Sequence, residues 1–283
     1  MLRALHFDHR LRGAESRADA QFCRRVCAAL KIGYVAGVWR GRHLGASEAE
    51  ARAARMEFFR ENARVIWLGH QQDDIAETML MRLARGSGAG GLAAPRPVQK
   101  FAGGRVHLRP LLSLKKQEIV AALKAAGLAW REDSSNGKPD YFRNRVRKDV
   151  LPGWLEAAQR DALAGAARSR LLLEEDDVAI EAWLDQIRPL DARGRLWLTK
   201  LDGMPRALWR RGLHRWLAAN PRCGDLSRQA FETLLAALEE LRPTRQSVGK
   251  HGFALTDGRT LRFEAARRKS RRIRRRAGGP DRS

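Results

Sequence analysis

A short apolar strand followed by a polar turn and a helix constrains the fold of this chain more than any other stretch. The apolar run at residues 64–68 ends at Gly69, and apolar residues then recur at helical spacing from Ile75 to Leu83. Strand, tight turn and helix in this order are typical of open α/β sheets, which bind ligands at the carboxyl ends of their strands. The stretch therefore predicts a parallel sheet and a ligand site at its edge.

Acidic side chains cluster at the start of that helix. Asp73 and Asp74 lie where a helix N-terminus favours negative charge, and carboxylates can hold a Mg²⁺ ion. Glu77 follows at helical spacing, so all three acids could share one face. A plain helix cap is the competing interpretation, and the stretch alone does not decide between a cap and a metal or nucleotide site.

Strands and helices alternate through the first part of the chain. Strands are expected at 2–8, 33–39, 64–68 and 106–112, and helices at 16–30, 47–62, after residue 70 and at 113–126. This alternation predicts a parallel sheet with right-handed crossovers. The first helix is expected to direct Phe22, Val26 and Leu30 inward, and the stretch at 85–97, rich in glycine and proline, to be a loop.

The composition changes from about residue 156 onward. Long helical patterns follow, and turn residues near 247–264 predict a small antiparallel sheet. One helix carries Trp209 and Trp216 together with several arginines. Stacking on nucleic acid is one interpretation of that combination, but burial in a core is the favoured one.

The charge of the chain is strongly positive, with 55 Lys and Arg against 32 Asp and Glu, a net charge of +23. Residues 267–276 read RRKSRRIRRR, and the chain without its last 17 residues is still basic. An acidic polymer is therefore the expected partner, and nucleic acid is the first candidate. An arginine-rich surface without a partner is the alternative.

Three cysteines without a paired framework suit a reducing compartment, which favours the cytoplasm. The sequence contains no run of about 18 apolar residues, so no membrane-spanning helix is expected. The N-terminus is too short and too polar for a secretory signal.

Seven ordered motifs resemble bacterial tRNA(Ile)-lysidine synthetases, a family of PP-loop ATP-pyrophosphatases. They are HFDHRLRG at 6–13, EAEARAARMEFF at 48–59, GHQQDDIAET at 69–78, RLARGSGAGGL at 82–92, LRPLL at 108–112, EDSSN at 132–136 and YFRNRVRKDVLP at 141–152. The resemblance is close through about residue 155 and holds only in outline beyond it. It implies a parallel Rossmann-like sheet, then a mostly helical region and a small α+β domain.

The resemblance also implies an activity. The family adenylates the wobble cytidine of tRNA(Ile) with a CAU anticodon at C2, and the amino group of L-lysine then displaces AMP. The product, lysidine, changes codon reading from AUG to AUA. ATP and Mg²⁺ are the implied cofactors, the cytoplasm is the implied location, and a homodimer is one assembly open to the chain.

Site residues follow from the same resemblance. The implied catalytic residues are Asp74, Arg143 and Asp73, with the two aspartates holding the metal, and Arg143 is similar to an arginine that stabilises the activated intermediate. The implied ATP-binding residues are His70, Arg55, Arg52 and Glu77. The implied tRNA-binding residues are Asn144, Arg147 and Arg145.

The domain division implied by the resemblance has three parts. Residues 1–155 are expected to form the PP-loop ATP-binding domain, 156–203 a helical connector, and 204–283 a tRNA-binding domain with a basic tail.

Several departures from the family pattern stand out. Gln72 and Ile75 flank the paired aspartates where the family has a small residue and Gln, and Met56 replaces a Tyr. The family's first strand and its SGGxDS pyrophosphate loop are expected before Met1. Their absence from the sequence suggests a truncated chain, whose sheet would expose apolar edges.

Two other functions stay open at this point. A non-catalytic tRNA-binding remnant would account for the absent loop. A PP-loop tRNA thiolase would use the same nucleotide site, but such enzymes need reactive cysteines or a metal cluster, and the chain has no CxxC pair.

Overall fold

The computed structural model describes residues 2–10, 13–40, 48–101, 103–132 and 141–266. It divides into two compact units, Met1–Asp177 and Val178–Ser283. The division falls inside the longest helix, Ala162–Ile187. Most of the EDSSN motif and the basic tail from residue 267 lie outside the described residues. The three-part domain division stays a prediction.

Among its described residues, the first unit contains five strands, seven complete helices and the first part of an eighth. The strands are β1 Arg3–Asp8, β2 Gly33–Val38, β3 Val65–Trp67, β4 Val98–Phe101 and β5 Arg105–Leu108. The helices are α1 Ala14–Ala29, α2 Glu48–Asn62, α3 Gln72–Leu83, α4 Ala89–Leu92, α5 Lys116–Ala125, α6 Phe142–Arg145, α7 Leu151–Ala157 and α8 Ala162–Ile187. A π-helical turn, Val146–Val150, joins α6 to α7.

The described strands of this unit form two sheets. β1 and β2 pair in parallel from Arg3–Gly33 to Asp8–Val38. β3 pairs in parallel with β5, and β4 adds to the other side of β5 in the antiparallel sense. The predicted α/β class with parallel strands is confirmed. The antiparallel β4 was missed because four residues directly after a glycine- and proline-rich stretch are too few to show a period.

Two element predictions need correction. The strand expected to reach residue 112 ends at Leu108, since the N–H of Arg109 donates to Pro97 O and Pro110 has no N–H for a ladder. The expected loop at 85–97 contains the short helix α4.

The buried face of α1 also differs from the prediction. Val26 and Leu30, expected inside, are 38% and 65% exposed, whereas Ser16 and Cys27 are buried. Ser16 and Cys27 are eleven residues, or about three turns, apart and therefore lie on the same side of α1. This buried side is rotated around the helix axis relative to the side that was expected to face inward. Ser16 lies within the helix, which begins at Ala14 rather than at residue 16.

A cleft of about 620 Å³ lies between β1 and β3. It is lined by β1, by β3 and by the end of α2. Val65 and Trp67 on β3 are 54% and 62% exposed, which is a large apolar exposure for a strand of this fold.

The second unit combines two helices with an antiparallel sheet. The helices are α9 Arg206–Ala219 and α10 Arg228–Glu239; the strands are β6 Leu196–Trp197, β7 Thr244–Ser247, β8 Gly252–Thr256 and β9 Thr260–Ala265. The sheet order is β6-β9-β8-β7 with all pairs antiparallel. The predicted small antiparallel sheet is confirmed, and β6 extends it by one strand.

The tryptophans of α9 belong to the core of the second unit, as favoured from the sequence. Trp209 is 5% exposed and Trp216 is fully buried, within a cluster that includes Leu213, Leu234 and Leu261. The arginines of α9 lie outside this core, where acidic residues of α8 and α10 pair with them. This helix therefore offers little free positive charge to a ligand.

Candidate active site

The turn between β3 and α3 is fixed by backbone hydrogen bonds to the segment that follows β5. The N–H of Leu68 donates to Leu108 O and that of Gln72 donates to Leu114 O, each at 2.8 Å. Asp74 closes the start of α3 by accepting the N–H of Gln71 at 2.8 Å. The polar residues of GHQQDD are thus held at the carboxyl end of β3, where parallel sheets bind ligands.

A pocket of about 340 Å³ opens at this point. Arg52, Arg55, Met56 and Phe59 of α2 line it, together with Leu68, Gly69, His70, Asp74 and Arg143. Five of the predicted site residues therefore share one pocket, and three of these five are arginines. Guanidinium groups bind phosphate oxygens two at a time, so the pocket suits a phosphorylated ligand.

His70 is neutral near pH 7 in this pocket. Its pKa is lowered to about 4, mainly by burial and also by the positive charges of Arg109, Arg143, Arg52 and Arg55. Its Nδ1 atom is buried and has no hydrogen-bond partner among the described residues. A buried polar atom of this kind can be satisfied by a ligand.

A network of two acids and two arginines supports the pocket. Glu77, 1% exposed, accepts from Arg143 Nε at 2.8 Å and from Arg147 Nε at 2.6 Å. Arg143 also contacts Asp74 through its other end. The pKa of Asp74 is raised because burial outweighs the attraction of the arginines and the Gln71 hydrogen bond.

Glu77 therefore has a supporting position. It does not line the pocket, although it was predicted to bind ATP. Its carboxylate holds Arg143, which does line the pocket, and it raises the pKa of Arg147 through a hydrogen bond.

The two aspartates of the predicted metal pair have different hydrogen-bond partners. The Asp73 carboxylate accepts the N–H of Lys116 at 2.8 Å, at the start of α5, while Asp74 turns toward Arg143 and Gln71. No cluster of three His, Cys, Asp or Glu side chains able to hold a metal occurs in the described part of the chain. Asp74 alone could contribute a carboxylate to a Mg²⁺ ion carried by phosphates, because Mg²⁺ often takes only one or two protein ligands.

The predicted tRNA-binding residues separate in the structure. Asn144 is buried at 7% exposure, and Arg147 is held by Glu77. Arg145 is the exposed member, and its guanidinium lies 5.8 Å from the centre of the Phe142 ring. Of the three, only Arg145 presents an exposed side chain.

Arg109 is a site residue that the sequence prediction left out. It is 8% exposed and donates to Arg96 O at 2.7 Å and to Gln99 Oε1 at 3.1 Å. Its positive charge contributes to the lowered pKa of His70. Its position in the LRPLL motif, directly after β5, was the available signal, since residues at strand ends face the ligand edge of a parallel sheet.

The fold is that of the PP-loop class, with an arginine-rich pocket at the carboxyl end of β3. Residues 1–154 match the PP-loop domain family, and the chain belongs to that family. A solved structure, the U34-tRNA thiolase NcsA from Methanococcus maripaludis with its 4Fe-4S cluster, shares the fold with a TM-score of 0.50 and 16% identity, covering 61% of each chain.

Curated relatives narrow the resemblance to tRNA(Ile)-lysidine synthases. The chain is 37% identical over 250 residues to the protein of Geobacter sulfurreducens, covering 80% of this chain and 50% of that one. It is 42% identical over 159 residues to that of Bacillus subtilis, covering 53% and 34%. It is 36% identical over 259 residues to that of Xanthomonas campestris pv. campestris, covering 87% and 57%. The chain spans about half the length of the first of these relatives.

The resemblance stated from the seven motifs is thereby confirmed.

Within the described part of the chain, no helix is long and apolar enough to cross a membrane. Cys23, Cys27 and Cys223 are free thiols, and burial raises the pKa of Cys23 and Cys223.

Proposed function

We propose that this chain acts in the ATP-dependent synthesis of lysidine on tRNA(Ile) with a CAU anticodon, in the cytoplasm. The observation that carries the proposal is the pocket beside the turn after β3, where Arg52, Arg55 and Arg143 surround a neutral His70. The substrates are inferred from the similarity to tRNA(Ile)-lysidine synthases.

The proposed reaction has two steps. The oxygen at C2 of the wobble cytidine attacks the α-phosphate of ATP, and pyrophosphate leaves with the electron pair of the broken P–O bond. The amino group of lysine then attacks C2, AMP leaves, and one proton is released. Both steps move negative charge onto phosphate oxygens, which fixed positive groups stabilise.

The arginines of the pocket would carry this stabilisation. Arg52 and Arg55, on successive turns of α2, would bind the phosphates, and Arg143 would contact the adenylated intermediate. Arg143 is held on its other side by Glu77, so its guanidinium is oriented before substrate binds. His70, neutral near pH 7, offers an uncharged ring nitrogen to the nucleotide.

Mg²⁺ would supply charge neutralisation of the phosphates, with Asp74 as the protein carboxylate nearest to them. The contact between Asp74 and Arg143 holds this carboxylate within the pocket wall. The Asp73 carboxylate, on α3, accepts the N–H of Lys116 at the start of α5. Homodimeric assembly is a separate expectation, and sedimentation of the purified chain tests it.

Incorporation of labelled lysine into CAU-anticodon tRNA(Ile) tests the proposed activity. The wild-type chain should incorporate lysine only with ATP. Arg143→Lys should lower the rate about 100-fold or more, because an ammonium cannot bind two phosphate oxygens at once.

Arg206→Lys is the matched control. Arg206 pairs with Glu232 and Glu239 in the second unit, and the rate should stay within about twofold of wild type. No incorporation by the wild-type chain, or an Arg143→Lys rate equal to wild type, contradicts the proposal.

A further inference from the structure

The outward face of the sheet in the second unit carries aromatic and basic side chains. Leu196, Ala254 and Leu261 point into the core and are fully buried, so their neighbours along each strand point outward. The ladder places the outward residues in rows across the strands. They are Trp197 on β6, Thr260, Arg262 and Glu264 on β9, Phe253 and Leu255 on β8, and Arg245 and Ser247 on β7.

Two aromatic rings on this face each carry an arginine. The guanidinium of Arg245 lies 3.5 Å from the centre of the Phe253 ring, and that of Arg195 lies 5.4 Å from the centre of the Trp197 ring. Both rings are half-buried, so part of each remains open to a ligand. Stacking of a guanidinium on an aromatic ring produces a flat, positively charged surface.

Acidic side chains hold these arginines in place. Asp191 accepts from Arg195 Nε at 2.8 Å and from the Trp197 indole N–H at 3.2 Å. Glu264 accepts from Arg245 at 3.2 Å. Each pair is thus oriented by a carboxylate before any ligand arrives.

The charge around the rings favours a polyanion. Arg262 is exposed on the central strand β9, across from Leu255. The backbone of Ala266, just beyond β9, donates to His251 O, and the sequence continues directly with the basic run at 267–276.

We propose that this sheet face binds a single-stranded segment of RNA by stacking bases on the Arg195–Trp197 and Arg245–Phe253 pairs, with Arg262 contacting a phosphate between them. Bases stack on aromatic rings and on guanidinium planes with little regard for sequence. From strand spacing and rise, the two pairs are roughly 16 Å apart, a distance that a few unstacked nucleotides span. The inference rests on the proposed tRNA substrate and extends it to a second surface.

Binding of a fluorescent eight-nucleotide single-stranded RNA to the full chain tests this surface. The double variant Trp197→Leu/Phe253→Leu keeps apolar side chains but removes both rings, and its affinity should fall about tenfold or more. The salt dependence of the remaining binding should be unchanged, because no phosphate contact is lost.

Arg262→Gln should give the complementary result. Its affinity should fall and the slope of log affinity against log salt should become shallower by about 0.7, the value for one lost contact with a single strand. Arg245→Gln, at a half-exposed side chain, gives a second test of stacking if the double variant does not fold.

Arg210→Gln on α9 is the matched control, since Arg210 faces Glu232 rather than the sheet, and it should bind as wild type. RNA binding unchanged in the Trp197/Phe253 and Arg245 variants would overturn the inference. So would a dimer that dissociates on Trp197→Leu/Phe253→Leu with RNA binding intact, because the face would then belong to a second copy.

The measurement needs neither ATP nor lysine. If the wild-type chain binds RNA through this face but incorporates no lysine, the proposed activity is contradicted and this inference is not. Intact incorporation with RNA binding insensitive to the sheet variants would contradict this inference alone.

Discussion

At the scale of single residues, the pocket depends on charges that are arranged before a ligand binds. His70 stays neutral because it is buried among arginines, and its Nδ1 atom has no partner among the described residues. Asp74 serves two purposes, since one oxygen closes the start of α3 and the other contacts Arg143. The sequence left open whether this aspartate is a cap or a site residue, and the geometry shows that it caps the helix while lining the pocket.

The titration of His70 leads to a prediction about stability. Its pKa is about 4 when folded and near 6.5 when unfolded, so the unfolded chain binds more protons between these values. The contribution of His70 to the free energy of unfolding should therefore fall as pH decreases from about 6.5 to about 4.

Urea denaturation at several pH values, followed in wild type and in His70→Asn, measures this contribution. The variant should lose less stability than wild type across that pH range. Equal losses in the two proteins would show that His70 is not held neutral by its surroundings.

At the scale of secondary-structure elements, one buried acid joins α3 to the segment of α6 and the π-helical turn. Glu77 on α3 receives Arg143 from α6 and Arg147 from the π-helical turn. Arg143 and Arg147 are four residues apart, and this spacing already predicts that they share one side of a helix. Which carboxylate they would meet could not be predicted from the spacing, because it depends on the packing against α3.

Glu77→Gln should destabilise the first unit. Removing one partner of a buried ion pair costs about 3–5 kcal/mol, and about 2–3 kcal/mol is expected here because both arginines are roughly a third exposed. Chemical denaturation followed by circular dichroism measures the change.

Glu240→Gln is the control for this prediction. Glu240 pairs with Arg242 and both side chains are more than half exposed, so the free energy of unfolding should change by less than about 0.5 kcal/mol. If the two substitutions change the free energy of unfolding equally, the Glu77 network stabilises the protein no more than an exposed ion pair does.

At the scale of the whole chain, much of the fold could be predicted from local patterns. The alternation of strands and helices predicted parallel pairing, and the turn residues near 247–264 predicted the antiparallel sheet. The boundaries and the short strand β4 could not be predicted, because the four residues of β4 show no period. The prediction of the inward face of α1 was wrong because the packing of neighbouring elements decides which side of a helix is buried.

The candidate site could be predicted only in part. Arg52, Arg55, His70, Asp74 and Arg143 were predicted from the motifs and meet in one pocket. The motifs did not show that Asp73 faces α5 or that Glu77 lies behind Arg143, since side-chain direction depends on tertiary contacts. Arg109 was missed because its influence on His70 is exerted across strand ends that are distant in the sequence.

Binding of ATP to the full chain tests the central claim most directly. Isothermal titration of Mg²⁺-ATP into wild type, Arg55→Gln and Arg242→Gln compares a pocket arginine with an exposed arginine outside the pocket. We expect Arg55→Gln to weaken ATP binding at least about tenfold, the effect of losing one charge-assisted contact, and Arg242→Gln to bind as wild type. Absence of ATP binding by wild type, or equal affinity in wild type and Arg55→Gln, would contradict the assignment of this pocket as the nucleotide site.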